Sequence, residues 1–240
     1  MRVNVGSLTE LESQVRDRLK QKQGFSLATI NLDHLVKMDR DAAFYAAYDK
    51  QDFVVADGNP IVWTSKLAKT PVDLLPGSDL VLPLCEWAAK EGRSIALLGS
   101  TEAALSDAAN ALSTRVAGLE VACMIAPPFG FDPMSDDAAE ILRTVEASGA
   151  SLCFLALGAP KQELLAARAQ DFAPSVGFAS IGAGLDFLAG TQTRAPKWAR
   201  RLAIEWVWRL LLNPKRLWKR YFDSGMIMPR LVLHALRQRT

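Results

Sequence analysis

Residues 151–163 read Ser-Leu-Cys-Phe-Leu-Ala-Leu-Gly-Ala-Pro-Lys-Gln-Glu, and they restrict the fold more than any other stretch of the chain. The near-continuous apolar run from Leu152 to Leu157 is too short for an isolated helix. It suits a strand buried on both faces of a parallel sheet. Gly158 breaks the strand, and Pro160 opens a helix, because proline in the first turn forfeits no hydrogen bond that the helix needs. In α/β sheets ligands collect at the carboxyl ends of the strands. A glycine turn leading into a helix there offers backbone N–H groups and a positive dipole end to an anion. An ordinary βα turn has the same composition, so these residues alone assign no ligand.

The same pattern recurs along the chain. Apolar, β-rich runs at 25–31, 53–56, 94–98, 119–125 and 176–182 alternate with helical periodicity at 8–23, 41–49, 60–66, 78–90 and 160–170. Thr9, the Ser78-Asp79 pair and the Asp137/Glu140 capping box are the expected helix starts, and Pro60 again stands at the beginning of one. The alternation predicts an α/β, Rossmann-like fold with a mainly parallel sheet flanked by helices. It stops after Gly190. There the sequence predicts a helix over 196–212, an interruption at Asn213-Pro214, a short basic helix over 215–222, and an apolar segment over 226–236. Residues 1–193 are therefore expected to form an α/β core. Residues 194–240 are expected to form a basic, Trp-rich helical appendage.

A formal net charge of +2 conceals that division. From Arg194 onward there are twelve Lys/Arg against Glu205 and Asp223, while the remainder holds 16 basic and 24 acidic side chains. Four of the six tryptophans lie in the same tail. An acidic core with a basic, aromatic tail points to an anionic partner. Nucleic acid is not expected, since the acidic core would repel a phosphate backbone. An anionic lipid surface suits both the charge and the aromatics. A helix pair docked on its own core is the plain alternative, and the tail could equally pack against a second copy in a homo-oligomer. Three dispersed cysteines in apolar surroundings suggest reduced core thiols of a cytosolic protein. No signal-peptide profile and no run of eighteen apolar residues is present.

Several chemistries find no support. There is no Walker loop, G-x-S-x-G elbow, H-E-x-x-H or C-x-x-C, and Gly182-Ala183-Gly184 lacks the third glycine of a dinucleotide fingerprint. Asp39-Arg40-Asp41 has the D-x-D spelling of metal-dependent sugar transferases, yet it follows no apolar strand and fits a helix N-cap better. Asp57 stands out, because it ends a buried strand, precedes Gly58, and would project into the ligand crevice as a general base or serve merely as a turn former. Thr29 and Asn31 at another strand end share that ambiguity. Gly99-Ser100 reads as a turn plus cap or as an anion-binding turn. Gln162 and Glu163 could line the site or face water.

Taken in order, Thr29-x-Asn31, Ala56-Asp57-Gly58, Gly77-Ser78-Asp79-Leu80, Leu98-Gly99-Ser100, the 157–163 run and Asp186-Phe187-Leu188-Ala189-Gly190 resemble the WecG/TagA/CpsF family of bacterial glycosyltransferases. Arg194-Ala195-Pro196, Glu205-Trp206, Arg209-Leu210 and Pro214-x-Arg216-Leu217-x-x-Arg220-Tyr221 extend the likeness. The resemblance implies an inverting, metal-independent transfer from a UDP-sugar to a sugar on a polyprenyl-diphosphate carrier. It also implies a peripheral place on the inner face of the bacterial cytoplasmic membrane, in the making of a cell-surface polysaccharide. Asp57 would be the catalytic base and no cofactor is expected. Thr29, Asn31, Gly58, Gly99, Ser100, Gly158 and Gln162 would line the substrate site, with Arg209, Arg216, Lys219 and Arg220 closing it from the tail. Many members carry Glu-Arg shortly before the Gly-x-Asp motif, where this chain has Asp73-Leu74. The rivals are another Rossmann-like enzyme using a nucleotide cofactor, and a non-catalytic lipid- or nucleic-acid-binding module.

Overall fold

The computed structural model describes residues 3–182, 184–185, 190, 196 and 205–239. Six strands, β1 (Phe25–Ile30), β2 (Phe53–Ala56), β3 (Ile95–Gly99), β4 (Val121–Ile125), β5 (Leu152–Ala156) and β6 (Gly177–Ser180), form one sheet in the order β2-β1-β6-β5-β3-β4. Every pairing in it is parallel. Parallel neighbours need crossover connections, which lay helices on both faces and bury the central strands between them. Accordingly β1, β2, β3 and β6 are buried along their whole length, whereas edge strand β4 is only partly covered.

Successive residues of each strand feed opposite cores. Leu27, Val55, Leu97 and Phe154 point to the face packed by α1 (Leu8–Gln21), α5 (Gly77–Lys90) and α6 (Glu102–Arg115). Leu98, Cys153, Leu155 and Phe178 point to the other face, under α7 (Asp136–Ala147) and α8 (Lys161–Ala169). Ala28, Ile30 and Val54 extend that second face beneath α3 (Ala42–Asp49), through Phe44 and Tyr48. Each fully buried Leu or Phe contributes about 1.5–3 kcal/mol. Truncating Phe154 to alanine would therefore cost about 3–5 kcal/mol through lost burial plus a cavity.

Most helix starts are a residue or two from their expected places. Ser7, not Thr9, caps α1, its side chain accepting from the Glu10 N–H. Ser135 caps α7 through the Ala138 N–H, which puts Asp136 and Asp137 in the first turn where the dipole favours them, so the expected capping box does not form. α5 begins at Gly77 with no side-chain cap bond, so the Ser78-Asp79 pair lies inside the helix. α2 (Leu32–Met38) and α4 (Asn59–Leu67) follow β1 and β2 directly, the latter with Pro60 in its first turn as expected.

The tail departs more from expectation. Beyond α9 (Glu205–Leu212), a single helix, α10 (Pro214–Arg237), replaces the separate short helix and apolar segment, and Pro229 lies inside it. An internal proline costs a helix about 3 kcal/mol. Docking on the core offsets that cost, since Leu217 and Ala235 are buried and ion pairs join Arg220 to Asp33, Asp223 to Arg40 and Arg230 to Asp39. Of the helix expected over 196–212, residues 197–204 lie outside the described residues.

Topology creates a crevice between β3 and β5. The chain leaves β3 through α6 on one face and moves outward to β4, but leaves β5 through α8 on the opposite face and moves inward to β6. β3 and β5 are neighbours, so their connections diverge at their carboxyl ends. That is a topological switch point.

Candidate active site

Asp57 continues β2 by one residue, its N–H donating to the Ile30 carbonyl at 2.8 Å. The bond sets the carboxylate beside the first residue after β1, which is Asn31. Asn31 Oδ1 accepts the His34 N–H at 3.2 Å and caps α2. With its acceptor committed to the helix, the carboxamide turns Nδ2 toward Asp57 Oδ2 at 3.5 Å. Gly58 takes φ +129°, a conformation that L side chains rarely adopt, and thereby starts α4 immediately behind Asp57. The amino ends of α2 and α4 thus both open onto this corner, and each presents positive dipole charge to an anion.

Beneath the corner lies a buried polar group. Thr29 is buried, and its carbonyl accepts the Tyr48 hydroxyl at 2.6 Å, with His34 Nδ1 at 2.9 Å. Burial lowers the His34 pKa from 6.5 to about 4, against the opposing charge of Asp33, so the ring is neutral at pH 7. Burial, followed by the charges of Glu163 and Asp57, pushes the Tyr48 hydroxyl well above its ordinary value. His34 and Tyr48 therefore brace the end of β1 as neutral groups.

The opposite wall is the switch point itself. Gly99 has φ +118°, and a Cβ there would strike the Ala156 carbonyl. The Ser100 N–H donates to that same carbonyl at 3.1 Å, and Thr101 caps α6, so the turn after β3 lies tight against β5. Gly158 turns the chain into α8 and accepts the Gln162 N–H at 3.2 Å. Gln162 is 2% exposed and Glu163 0%, which removes the water-facing alternative. Gln162 Oε1 accepts the Gly182 N–H at 3.1 Å, and Nε2 donates to Glu163 Oε1 at 2.8 Å. Burial raises the Glu163 pKa from 4.5 to about 7, and the bond from Gln162 works in the other direction.

Strand spacing separates the two walls. Asp57 ends β2 and Gly99 ends β3, four strand positions away, or roughly 19 Å at about 4.8 Å per strand. Thr29, Asn31, Asp57 and Gly58 form one group, while Gly99, Ser100, Gly158 and Gln162 form the other. All eight lie along a single edge of the sheet, with β6 and its Gly182 between the groups.

The tail meets the first group. Arg220 Nε lies 3.1 Å from Asp33 Oδ1, in the first turn of α2. Lys37 reaches the other oxygen of Asp33 at 3.0 Å and the Ala159 carbonyl at 3.2 Å, linking α2 to the turn after β5. Neither Asp33 nor Lys37 was singled out from the sequence. Their four-residue spacing on a helix is the one signal that could have found them. Lys219 is exposed on α10, and the side chains of Arg209 and Arg216 lie outside the described residues. Asp39 pairs with Arg230, Arg40 with Asp223, and Asp41 caps α3, so the D-x-D spelling serves docking and capping. Among the described residues no group of three or more His, Cys, Asp or Glu forms a metal cradle. An open groove of about 740 Å³ lies apart from the strand ends, with Leu35, Met38 and Tyr45 facing Met226 and Leu233 across it. No described helix is long and apolar enough to cross a membrane.

A doubly wound parallel sheet with polar side chains at the carboxyl ends of its strands has the architecture in which α/β proteins bind ligands at that edge. The chain belongs to the glycosyl transferase WecG/TagA/CpsF family, whose model matches residues 1–240, and it is a glycosyltransferase. It is 27% identical over 218 residues to an N-acetylglucosaminyldiphosphoundecaprenol N-acetyl-beta-D-mannosaminyltransferase of Bacillus spizizenii, covering 90% of this chain and 82% of the relative. It is 25% identical over 222 residues to the protein of the same name from Bacillus subtilis, covering 92% and 82%.

Proposed function

We propose that this glycosyltransferase moves a sugar from a UDP-sugar to a sugar held on a polyprenyl diphosphate, with inversion at the anomeric carbon and without a metal. The observation that carries this proposal is the place of Asp57 at the sheet edge, with its Oδ2 facing the Asn31 carboxamide that caps α2. The names of the two relatives support the class of acceptor and an N-acetylhexosamine as the transferred unit. Asp57 takes the proton of the acceptor hydroxyl as that oxygen attacks the anomeric carbon. The bond from that carbon to the diphosphate oxygen breaks, and UDP departs as an anion.

The nucleotide occupies the switch point, between the Gly99-Ser100 turn and the Gly158–Gln162 turn. The sugar reaches across β6 toward Asp57. Charge on the departing diphosphate is offset by the helix amino ends and by Arg209, Arg216, Lys219 and Arg220 of the tail. Where many relatives place an arginine, the part-exposed Leu74 supplies no charge, so the tail cations take a larger share of that work. Trp218, Phe222, Met226 and Leu233 are exposed along α10, beside Lys215 and Lys219. Such a face suits the surface of an anionic bilayer, where a lipid-linked acceptor resides.

A screen of UDP-sugars by thermal shift tests the proposal. Selective stabilisation by one donor, and a smaller shift with UDP alone, is the expected result. Failure of every UDP-sugar and of UDP to stabilise the folded chain would overturn it.

A further inference from the structure

We propose that Glu163 is a positioning residue for the transfer reaction, setting the orientation of the Gln162 carboxamide that fastens the turn after β6 to the turn after β5. The inference rests on the transferase reading above and adds a residue to it.

The carboxamide of Gln162 has one acceptor end and one donor end, and rotation by half a turn exchanges them. In the observed orientation Oε1 receives the Gly182 N–H at 3.1 Å, and Nε2 gives a hydrogen to Glu163 Oε1 at 2.8 Å. The opposite orientation would set two donors together at Gly182 and two acceptors together at Glu163. Because Gln162 and Glu163 are both buried, a lost partner would leave a polar atom unpaired away from bulk solvent. Glu163 is held in turn beside the end of α3, since Gln51, two residues beyond that helix, donates from Nε2 to the Glu163 backbone carbonyl at 3.2 Å and to the Ala47 carbonyl at 2.9 Å. Glu163 thus ties the carboxamide of Gln162 to a fixed part of the fold.

A second observation separates this role from simple packing. Glu163 Oε2 has no hydrogen-bond partner among the described residues, and the neighbouring α8 residues Leu165 and Ala166 are apolar core. Stability alone would favour an apolar side chain here, because a buried carboxyl with one oxygen unmet is a cost to the fold. Such costs persist where function uses the group. The Gly182 N–H is what it secures, and Gly182 lies in the turn after β6, the strand between the nucleotide wall and the Asp57 corner. Misplacement of a site wall by about 1 Å can cost on the order of a hundredfold in rate.

The test uses the full chain, with UDP as the probe, in titration calorimetry and thermal melting. Glu163→Met removes the acceptor while suiting the apolar surroundings. It is expected to melt no lower than wild type yet bind UDP at least tenfold more weakly. Glu163→Gln keeps an oxygen for Gln162 and is expected to bind within about threefold of wild type. Gln162→Ala should weaken UDP binding as Glu163→Met does, and the double variant should add nothing further. Wild-type affinity in Glu163→Met, additive losses in the double variant, or a tenfold loss in Glu163→Gln would each overturn the inference while leaving the transferase reading intact. A wild-type chain that binds no UDP overturns both.

Discussion

Asn31 joins a helix cap to a candidate base, with Oδ1 accepting the His34 N–H at 3.2 Å and Nδ2 facing Asp57 Oδ2 at 3.5 Å. A cap residue is ordinarily free to rotate its unused end toward solvent. Here the Asp57 N–H bond to the Ile30 carbonyl brings the carboxylate alongside, so the cap and the acid share one orientation. Replacing Asp57 by asparagine should preserve the fold and UDP binding while lowering kcat by about a hundredfold or more, in line with the 10²–10⁴ typical of a general base. Transfer to a lipid-linked acceptor, measured beside UDP affinity, checks this. Full transfer by a folded variant would remove Asp57 from the role. Asn31→Ala should combine a smaller loss of rate with about 1 kcal/mol of lost stability from the missing cap.

Two buried groups give stability opposite dependences on pH. His34 has its pKa lowered from 6.5 to about 4, so its contribution is complete above 6.5 and is lost as the pH falls toward 4. Glu163 is an acid raised from 4.5 to about 7, so the folded state holds its proton more tightly. Its contribution is greatest below 4.5 and is lost as the pH rises to 7. Each amounts to about 3 kcal/mol, and between 4.5 and 6.5 the two slopes nearly cancel. Glu163→Gln removes one of them. Relative to wild type it should gain about 3 kcal/mol between pH 4.5 and pH 8, measured by urea unfolding at each pH. An unchanged difference between the two proteins would contradict the buried, proton-retaining carboxyl.

Gly99→Ala should destabilise the chain by more than 1 kcal/mol. The φ of +118° strains any L side chain, and the added carbon meets the backbone carbonyl of Ala156, which has no room to retreat within a paired strand. Urea midpoints read the effect. Gly92→Ala, also at positive φ but with open space around its Cβ, is the control and should cost less.

Deleting residues 194–240 should abolish co-sedimentation with anionic vesicles and most transfer to a lipid-linked acceptor. In the full chain, Trp218→Ala with Phe222→Ala should weaken vesicle binding about tenfold or more, as two exposed aromatic side chains are lost from the α10 surface. The melting temperature should change little, because neither ring is part of the core. Binding that survives both changes would place the membrane contact elsewhere.

The sequence by itself determined the alternation of strands and helices, and with it the parallel sheet. Runs such as Leu152–Ala156 admit little else between a glycine turn and a helix. Strand-end residues such as Asp57 and Asn31 were legible for the same reason, since a polar residue after an apolar run marks the carboxyl edge. Local signals also sufficed for Pro60 in the first turn of α4 and Asp41 as a cap. Only the tertiary structure decided which strand ends meet, because the order β2-β1-β6-β5-β3-β4 depends on how helices cover two faces and not on any single segment. It also decided that the tail forms one helix through Pro229, held by Arg230 on Asp39 and Arg220 on Asp33 across most of the chain's length. Glu163 shows the limit most directly. In sequence it is an acidic residue in a first helical turn, where water and the dipole would account for it. Burial against β6 and α3 turns it into a group whose proton and hydrogen bond both have consequences, and no local pattern carries that information.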